Sequence, residues 1–278
     1  MRLIGSVIVR AFMEQIRTRF YLVTTFFMSL FVIGICYAAD GQSLAELPIS
    51  KGEVYLPIYI LLVVLFVIIV ECGVSAGKSI YRDRELFKIK VHKRYKDFAL
   101  IFMGKIIGIG TAGVIQLLVI VILSRVLLDY WQLEAVMLNS QIWLDLRHLT
   151  PSLFAFMLLF FVLGYGQYVG LYVTIGSVQK KSYMLLLMFI VTILFIAMIM
   201  LCFFIPGVDH ELLLKVGSMF PYSAPFFMII RLSTEDLTWF QFMMPVFIMI
   251  GAIWISNWLT IRYYEVVIRK MKKPISLV

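Results

Sequence analysis

The residues that could do chemistry in this chain are few and far apart. The three histidines, His92, His148 and His210, fall in three different polar segments. No spacing of histidine, cysteine, aspartate or glutamate matches a metal site. No serine–histidine–aspartate or cysteine–histidine arrangement of a nucleophilic enzyme stands out either. The sequence therefore predicts no catalytic, cofactor-binding or metal-binding residues.

One segment, residues 72–79 with the sequence CGVSAGKS, is similar to a phosphate-binding loop. Such a loop reads G-x-x-x-x-G-K-[ST] and follows a β-strand, which aims its backbone at the phosphates. Here Cys72 occupies the first glycine position, and the preceding residues form a long apolar run. We therefore expect no nucleotide on this chain, and any energy from ATP would have to come from a partner.

The composition explains this shortage of reactive groups. Hydrophobic residues make up 62% of the 278 residues and charged residues 15%, with a mean hydropathy of +0.98. Soluble proteins average about 25% charged residues, and a soluble domain of this size needs a mostly polar surface. The composition excludes soluble enzymes, disordered chains and disulfide scaffolds. It predicts an integral membrane protein in a single membrane domain.

Six apolar stretches are long enough to cross a bilayer, for which a helix needs about 20 residues. Because none of them alternates with period two, the predicted fold is an all-α polytopic membrane protein. Cys36, Cys72 and Cys202 lie inside these stretches and are read as buried thiols. The predicted spans are residues 21–39, 55–76, 99–128, 151–176, 183–205 and 242–261.

Lysine and arginine placement predicts the orientation. With both termini inside, twenty of the 25 basic residues lie on the cytoplasmic side, whereas ten of the 16 acidic residues lie outside. The net charge of +9 thus divides into +14 inside and −5 outside. It reads as a topology signal and a docking surface, with no nucleic-acid partner. We expect a multi-pass protein of the cell membrane with cytoplasmic N- and C-termini.

Residues 1–20 are too charged to be a span. Apolar residues recur at helical spacing, which fits an amphipathic helix lying in the inner-leaflet interface. An ordinary basic flank before the first span fits the periodicity equally well. The apolar positions of this helix are Leu3, Ile4, Val7, Ala11, Phe12 and Ile16.

Residues 77–98 form the longest predicted cytoplasmic loop and mix basic side chains with apolar anchors. Either this segment lies on anionic lipid or it docks a protein partner. An ionisable residue inside a span is the usual mark of an ion or proton path. Only Glu71 has any depth, and we expect it to pair with Lys78 or Lys105 near the inner end of the second span.

Residues 206–241 precede the last predicted span and contain the sequence FPYSAPFFMIIRL. Pro221 and Pro225 interrupt the chain, and the apolar run that follows is too short to cross a membrane. This predicts a re-entrant or interfacial helix outside the cytoplasm. A plug of the bundle and a substrate gate both remain open.

Taken together, these features resemble the membrane subunits of type 2 ABC exporters, especially the NatB-like branch of sodium-exporter permeases. The resemblance rests on the N-terminal helix, the charged loop after Glu71 and two motifs. The first motif, at the start of span three, comprises Gly104, Lys105 and Gly108 with Gln116 downstream. The second, the expected re-entrant gate, comprises Pro221, Ser223, Pro225, Met228 and Arg231. The large extracellular domain usual in the NatB-like branch is absent, since only residues 40–54 separate the first two spans.

The resemblance implies a permease subunit that forms the translocation path and couples to a separate ABC ATPase, present in two copies. ATP and magnesium would bind that partner, and this chain would be non-catalytic. A second permease subunit, identical or different, would complete a dimer, with spans one and five at its interface. The implied ATPase-coupling residues are Arg82, Asp83, Arg84, Glu85, Leu86, Phe87 and Lys88.

Two other functions are consistent with the composition. A secondary transporter would need inverted repeats and ionisable residues at the membrane midplane, and neither is seen in the sequence. A non-transport membrane protein, such as an immunity factor or an assembly protein, would predict no dependence on an ATPase.

Overall fold

The computed structural model describes residues 2–40, 56–89, 97–130, 151–178, 180–204, 210–234 and 237–272. Every regular element within these ranges is an α-helix. In chain order the helices are α1 (Arg2–Ile16), α2 (Arg19–Asp40), α3 (Leu56–Ile89), α4 (Asp97–Tyr130), α5 (Pro151–Gly176), α6 (Lys181–Phe204), α7 (His210–Met219), α8 (Ala224–Thr234) and α9 (Trp239–Lys272).

Each predicted span overlaps one helix, namely α2, α3, α4, α5, α6 or α9. In the described part of the chain, four helices are long and apolar enough to cross a membrane, and α1 with α2 would add a fifth as one bent span. The described apolar part of α6 is shorter. The fold is therefore all-helical with four to five candidate spans, and six spans remain a prediction. The four spans are Leu62–Asp83, Phe102–Leu123, Ala155–Gly176 and Trp239–Tyr263.

Local signals place several helix ends. Helices α1 and α2 meet at a bend of 59°, where the Thr18 hydroxyl accepts from the Tyr21 amide at 3.2 Å and so caps α2. At the start of α9, Thr238 and Gln241 bond each other's backbone amides reciprocally, which is a capping box. These caps satisfy amides that the first helical turn leaves without a partner.

Helix α3 continues well past the predicted end of its span at residue 76. The segment predicted as a loop from residue 77 is helical as far as Ile89. After Gly77 this stretch contains no proline, and six of its twelve residues up to Ile89 are lysine, arginine, glutamate or leucine, which favour helix. The helix therefore carries its apolar span and its charged extension as one continuous element.

Helix α5 is the centre of the bundle and packs against α3, α9, α8, α4 and α6. Its side chains Phe160, Phe161, Tyr168 and Tyr172 are fully buried. Close packing of this kind stabilises helices in lipid, where apolar burial alone gives little.

Small residues set the closest approaches of the bundle. A Cβ at Gly176 would overlap the carbonyl oxygen of Gly77, so α3 and α5 touch backbone to backbone there. A Cβ at Gly108 would lie 2.5 Å from the Ile8 carbonyl oxygen of α1. Because a side chain at these positions would force the helices apart, glycine fixes both crossings.

Helix α1 packs along the beginning of α4. Ala11 and Gln15 are buried in this contact, whereas Val9 and Arg10 on the opposite side are exposed. The apolar face predicted for residues 1–20 therefore packs against α4 of the same chain. The opposite face is free to contact lipid.

Helices α7 and α8 form a short hairpin joined by a turn at residues 220–223. Residues 223–231 are buried, and α8 packs on α5 and α3. Neither helix is long enough to cross a bilayer. Burial in protein is the condition under which a non-spanning segment is tolerated at membrane depth.

Candidate functional site

The charged extension of α3 is tied to α1 through Glu14. Arg82 Nη2 donates to Glu14 Oε2, and Arg10 Nε donates to Glu14 Oε1 at 3.0 Å. Partial burial acts to raise the pKa of Glu14, but the hydrogen bond from Arg10 and the positive charge of Arg82 outweigh it and lower that pKa. These contacts therefore join the first helix to the extension of α3.

A second tie connects the extension with α4. Lys105 Nζ donates to the carboxylate of Asp83 and, at 2.8 Å, to the Ser79 hydroxyl. The Lys105 side chain is only 12% exposed and that of Asp83 only 21%, so solvent screens this ion pair less than an exposed one. Lys105 of the span-three motif thus locks α4 to α3.

The predicted ATPase-coupling residues lie on one helical element. Arg82 and Asp83 make the two ties just described. Arg84, Glu85, Leu86, Phe87 and Lys88 continue the same helix as far as Ile89, and their side chains lie outside the described part of the structure. The ends of α1, α3 and α4 together form what we call the coupling end of the bundle.

The other span-three motif residues face two different helices. Gly104 and Gly108 contact α1, since a Cβ at Gly104 would lie 2.9 Å from Val7 Cγ1. Gln116 is fully buried and its Nε2 donates to Glu71 Oε2 at 3.0 Å. The expectation that Lys78 or Lys105 pairs with Glu71 is wrong, because Lys105 reaches Asp83 and Gln116 takes its place.

Glu71 of α3 and Gln116 of α4 form a buried polar pair, with Thr24 of α2 nearby. Glu71 is 3% exposed. Glu71 Oε1 and Gln116 Oε1 have no hydrogen-bond partner among the described residues. A buried acceptor without a donor costs roughly 1–3 kcal/mol, so this pair is costly for the fold.

The predicted gate residues lie in the α7–α8 hairpin. The Ser223 hydroxyl donates to the Gly217 carbonyl at 2.7 Å. Arg231, 2% exposed, donates from Nη1 to the Ser218 hydroxyl at 2.8 Å. Pro225 packs at Gly164 of α5. These contacts fix the turn and both helices of the hairpin.

Two further gate residues complete this description. Met228 is fully buried in the core, and Pro221 is partly exposed in the turn. The Tyr168 hydroxyl of α5 donates to the Tyr222 carbonyl of the turn at 2.8 Å. The hairpin is therefore held from the bundle side by α5.

The structure forms neither a phosphate-binding loop nor a metal site from the described residues that were considered for one. Residues 72–79 are helical throughout, whereas a phosphate-binding loop needs an irregular backbone. Cys72 is buried, with its Sγ 3.8 Å from the Ile109 carbonyl. Among the described residues no three histidine, cysteine, aspartate or glutamate side chains form a metal cluster. His92 and His148 lie outside the described residues.

Sequence reasoning missed several residues of the coupling end and the hairpin. Glu14, Ser218 and Tyr168 were not singled out as functional residues. Gln15 interrupts the apolar face of α1 one turn after Ala11, but only the folded structure shows that its Nε2 has no hydrogen-bond partner among the described residues. Gly77 and Gly176 lie at the ends of two predicted spans, but nothing local indicates that they meet.

The comparisons with known proteins agree with this architecture. A family model described as ABC-2 family transporter protein matches residues 52–262, which is most of the chain. No curated protein matches. The matched region begins just before α3 and includes the hairpin and most of α9. The chain therefore belongs to the ABC-2 family of transporter proteins and is a multi-pass membrane permease of the ABC transporter class.

Proposed function

We propose that this chain is the non-catalytic permease subunit of an ATP-driven exporter of the NatB-like branch, without its large extracellular domain. The observation that carries the proposal is the family match together with a charged helical extension tied to α1 by the Arg82–Glu14 ion pair. ABC-2 permeases in general work with an ABC ATPase. The extension of α3 continues beyond the span and contacts both α1 and α4. It could therefore bind such a partner and pass its movement to the spans.

The proposed topology has six spans, with α2 and α6 completing the four clear ones. The division of charge, +14 against −5, favours cytoplasmic termini. In a cell membrane this orientation places the coupling end in the cytoplasm. The α7–α8 hairpin then lies at the outer end of the bundle, where it can plug or gate a path.

The proposed coupling surface is the extension from Arg82 to Lys88. Nucleotide-driven closure of two ATPase subunits, each with ATP and magnesium, would press on this extension. The ties to Glu14 and Lys105 would pass that force to α1 and α4. Both ties join helices rather than loops, so the displacement would move the spans as rigid bodies.

A second permease subunit is proposed to pack on α2 and α6. Both helices expose large apolar side chains, including Phe26 and Phe27 on α2 and Leu186 and Phe189 on α6. Two copies of this chain, or this chain and a related one, would enclose the translocation path between them. The exported substrate would be selected by side chains on that shared surface.

Co-purification tests the proposed coupling. Charge reversal at Arg84 and Lys88 should abolish co-purification of the cognate ATPase, since it inverts the charge of the coupling surface. The matched control reverses Arg269 and Lys270, which are equally basic but lie at the end of α9. Equal recovery of the ATPase with both variants would contradict the assignment. The purified chain alone should hydrolyse no ATP, and turnover by it would overturn the partner requirement.

A proton-coupled secondary transporter is the second candidate, and the buried Glu71–Gln116 pair is the observation that favours it. Glu71→Gln removes the titratable proton but keeps the size and hydrogen-bonding capacity of the side chain. If the exporter proposal holds, this variant retains ATP-dependent transport. Loss of transport in Glu71→Gln, with ATPase binding intact, would favour the proton-coupled mechanism.

A further inference from the structure

A cavity of about 670 Å³ lies at the coupling end, between α1, α3, α4 and the beginning of α6. We call it the basic cavity and define it by Gln15, Lys78, Arg82 and Lys181. It lies where the apolar span of α3 gives way to its charged extension. In a bilayer, the boundary between an apolar span and its charged flank lies near the lipid headgroups.

The charges around the basic cavity favour an anion. Lys78, Arg82 and Lys181 contribute three positive charges, and Glu14 is the acidic residue that lines the cavity. Glu14 is already engaged by Arg82 and by Arg10. Neither Lys78 nor Lys181 has an ion-pair partner among the described residues. Two lysines therefore remain to neutralise a bound anion.

A buried donor points to the same ligand chemistry. Gln15 lines the cavity and is 3% exposed, and its Nε2 has no hydrogen-bond partner among the described residues. Leaving a buried amide donor unpaired costs about 1–3 kcal/mol. An oxygen acceptor bound in the cavity would remove that cost, and phosphate oxygens are strong acceptors.

The first turn of α6 adds a third contribution. Lys181 begins α6, and Met184 and Leu185 of its first turns line the cavity. The N-terminus of a helix carries partial positive charge and attracts phosphate. The lysines, the amide and the helix end thus all favour one negatively charged, oxygen-rich group.

The remainder of the cavity is apolar, which distinguishes its ligand from a free ion. Ala11, Ile109, Met184 and Leu185 form this side. A ligand that carries both phosphate and hydrocarbon can contact the charged side and the apolar side of the cavity. Inorganic phosphate can contact only the charged side.

We propose that the basic cavity binds the phosphate headgroup of an anionic membrane phospholipid, with its acyl chains leaving the cavity past Met184 and Leu185 at the start of α6. Lys78, Arg82 and Lys181 supply charge, and Gln15 donates a hydrogen bond. The bound lipid connects α1 and the α3 extension with α6. This site does not depend on ATPase coupling, because a permease with or without that partner would present the same cavity to the membrane.

Lipid retention by the full-length chain tests the site. The protein is purified in mild detergent, and native mass spectrometry counts bound phosphatidylglycerol or phosphatidylcholine added at equal concentration. We expect retention of phosphatidylglycerol in preference to phosphatidylcholine. Lys78→Gln with Lys181→Gln should lower that retention about thirtyfold, since each of the two basic residues near anionic lipid contributes about 1 kcal/mol and about 1.4 kcal/mol is a factor of ten. Equal retention by this variant would overturn the proposal.

Two further variants distinguish binding in the cavity from attraction of anionic lipid to any basic surface. Arg17→Gln with Arg19→Gln removes the same charge from exposed positions outside the cavity and should leave retention unchanged. Leu185→Trp narrows the cavity without changing charge and should lower retention. Thermal protection by inorganic phosphate alone, equal to that by phosphatidylglycerol, would overturn the lipid assignment. Equal binding of phosphatidylcholine would also contradict it.

Discussion

Helices α5 and α6 follow each other in the chain and are both strongly apolar, yet the structure uses them in opposite ways. Two thirds of the α5 span, 67%, is buried inside the protein. Helix α6 buries Met184 and Met188 but exposes Phe189 and Leu194 by more than half. The difference indicates a fixed scaffold beside a helix whose broad face is left for lipid or a second subunit.

The sequences of the two helices show where this difference originates. Helix α5 contains four glycines and three buried tyrosines, whereas α6 contains no glycine. Small residues allow neighbouring helices to approach closely, and the hydroxyls of Tyr165 and Tyr168 donate to the carbonyls of Ile106 and Tyr222. Hydropathy alone does not separate the two helices, but their small and polar residues do.

The largest expected effect compares one phenylalanine from each helix. Phe160 is fully buried on α5, and Phe189 on α6 is 63% exposed. Phe160→Ala should lower the free energy of unfolding by about 3 kcal/mol, the low end for soluble cores, because lipid is as apolar as the core. Phe189→Ala should leave monomer stability unchanged. Thermal unfolding in detergent measures both, and equal losses would break the comparison.

Glycine contacts give the next effect. Gly176→Val places a side chain against the Gly77 carbonyl and should destabilise the protein by about 1–3 kcal/mol or more, the usual cost of overpacking. Gly251→Val on α9 is the control, since no atom lies within 4 Å of a Cβ there. The monodisperse fraction after heating reports the difference. An intact Gly176→Val protein would show that α3 and α5 do not touch.

Removing two tyrosine hydroxyls of α5 one at a time should give smaller losses of stability. Tyr168→Phe leaves the Tyr222 carbonyl without its bond and should cost about 1 kcal/mol. Tyr172→Phe loses only a bond to the Thr192 hydroxyl of α6, which still donates to Met188. We expect a smaller loss there. Melting curves of the two variants measured in parallel test which loss is larger. A larger loss for Tyr172→Phe would show that α6 is held as firmly by α5 as the α7–α8 hairpin is.

The smallest effect belongs to the exposed ion pairs of Glu14 at the coupling end. Glu14→Gln should change stability by no more than about 0.5 kcal/mol, as surface ion pairs do. Since the folded-state pKa of Glu14 is lowered, the contribution of its charge is present at neutral pH. It is lost as the pH falls through that lowered pKa. Wild type and variant should therefore differ slightly near pH 7 and converge in acid. A constant difference would contradict the ion-pair interpretation.

The helices were largely predictable from the sequence, because apolar length is a local property. Each predicted span overlaps a helix, and a short helix does precede the last one. The continuation of α3 to Ile89 was missed, since the hydropathy pattern ends where the apolar run ends. The helix continues because its charged residues are good helix formers.

The contacts of the site were not predictable, because they depend on how each helix is rotated. Glu71 was assigned a lysine partner from its distance along the chain, but Gln116 of α4 faces it instead. Glu14 and Arg82 are 68 residues apart and meet only because α1 lies on α4 beside α3. The orphan amide of Gln15 likewise becomes visible only once the cavity is formed.

Site-specific photo-cross-linking tests the central claim, that the α3 extension meets an ATPase while α6 meets a second permease subunit. A photoreactive amino acid is placed at Lys88 or at Phe189 in cells that contain the cognate ATPase. We predict that position 88 yields a product of permease plus ATPase and that position 189 yields a product of two permease subunits. An ATPase product from position 189 with none from position 88 would contradict the account.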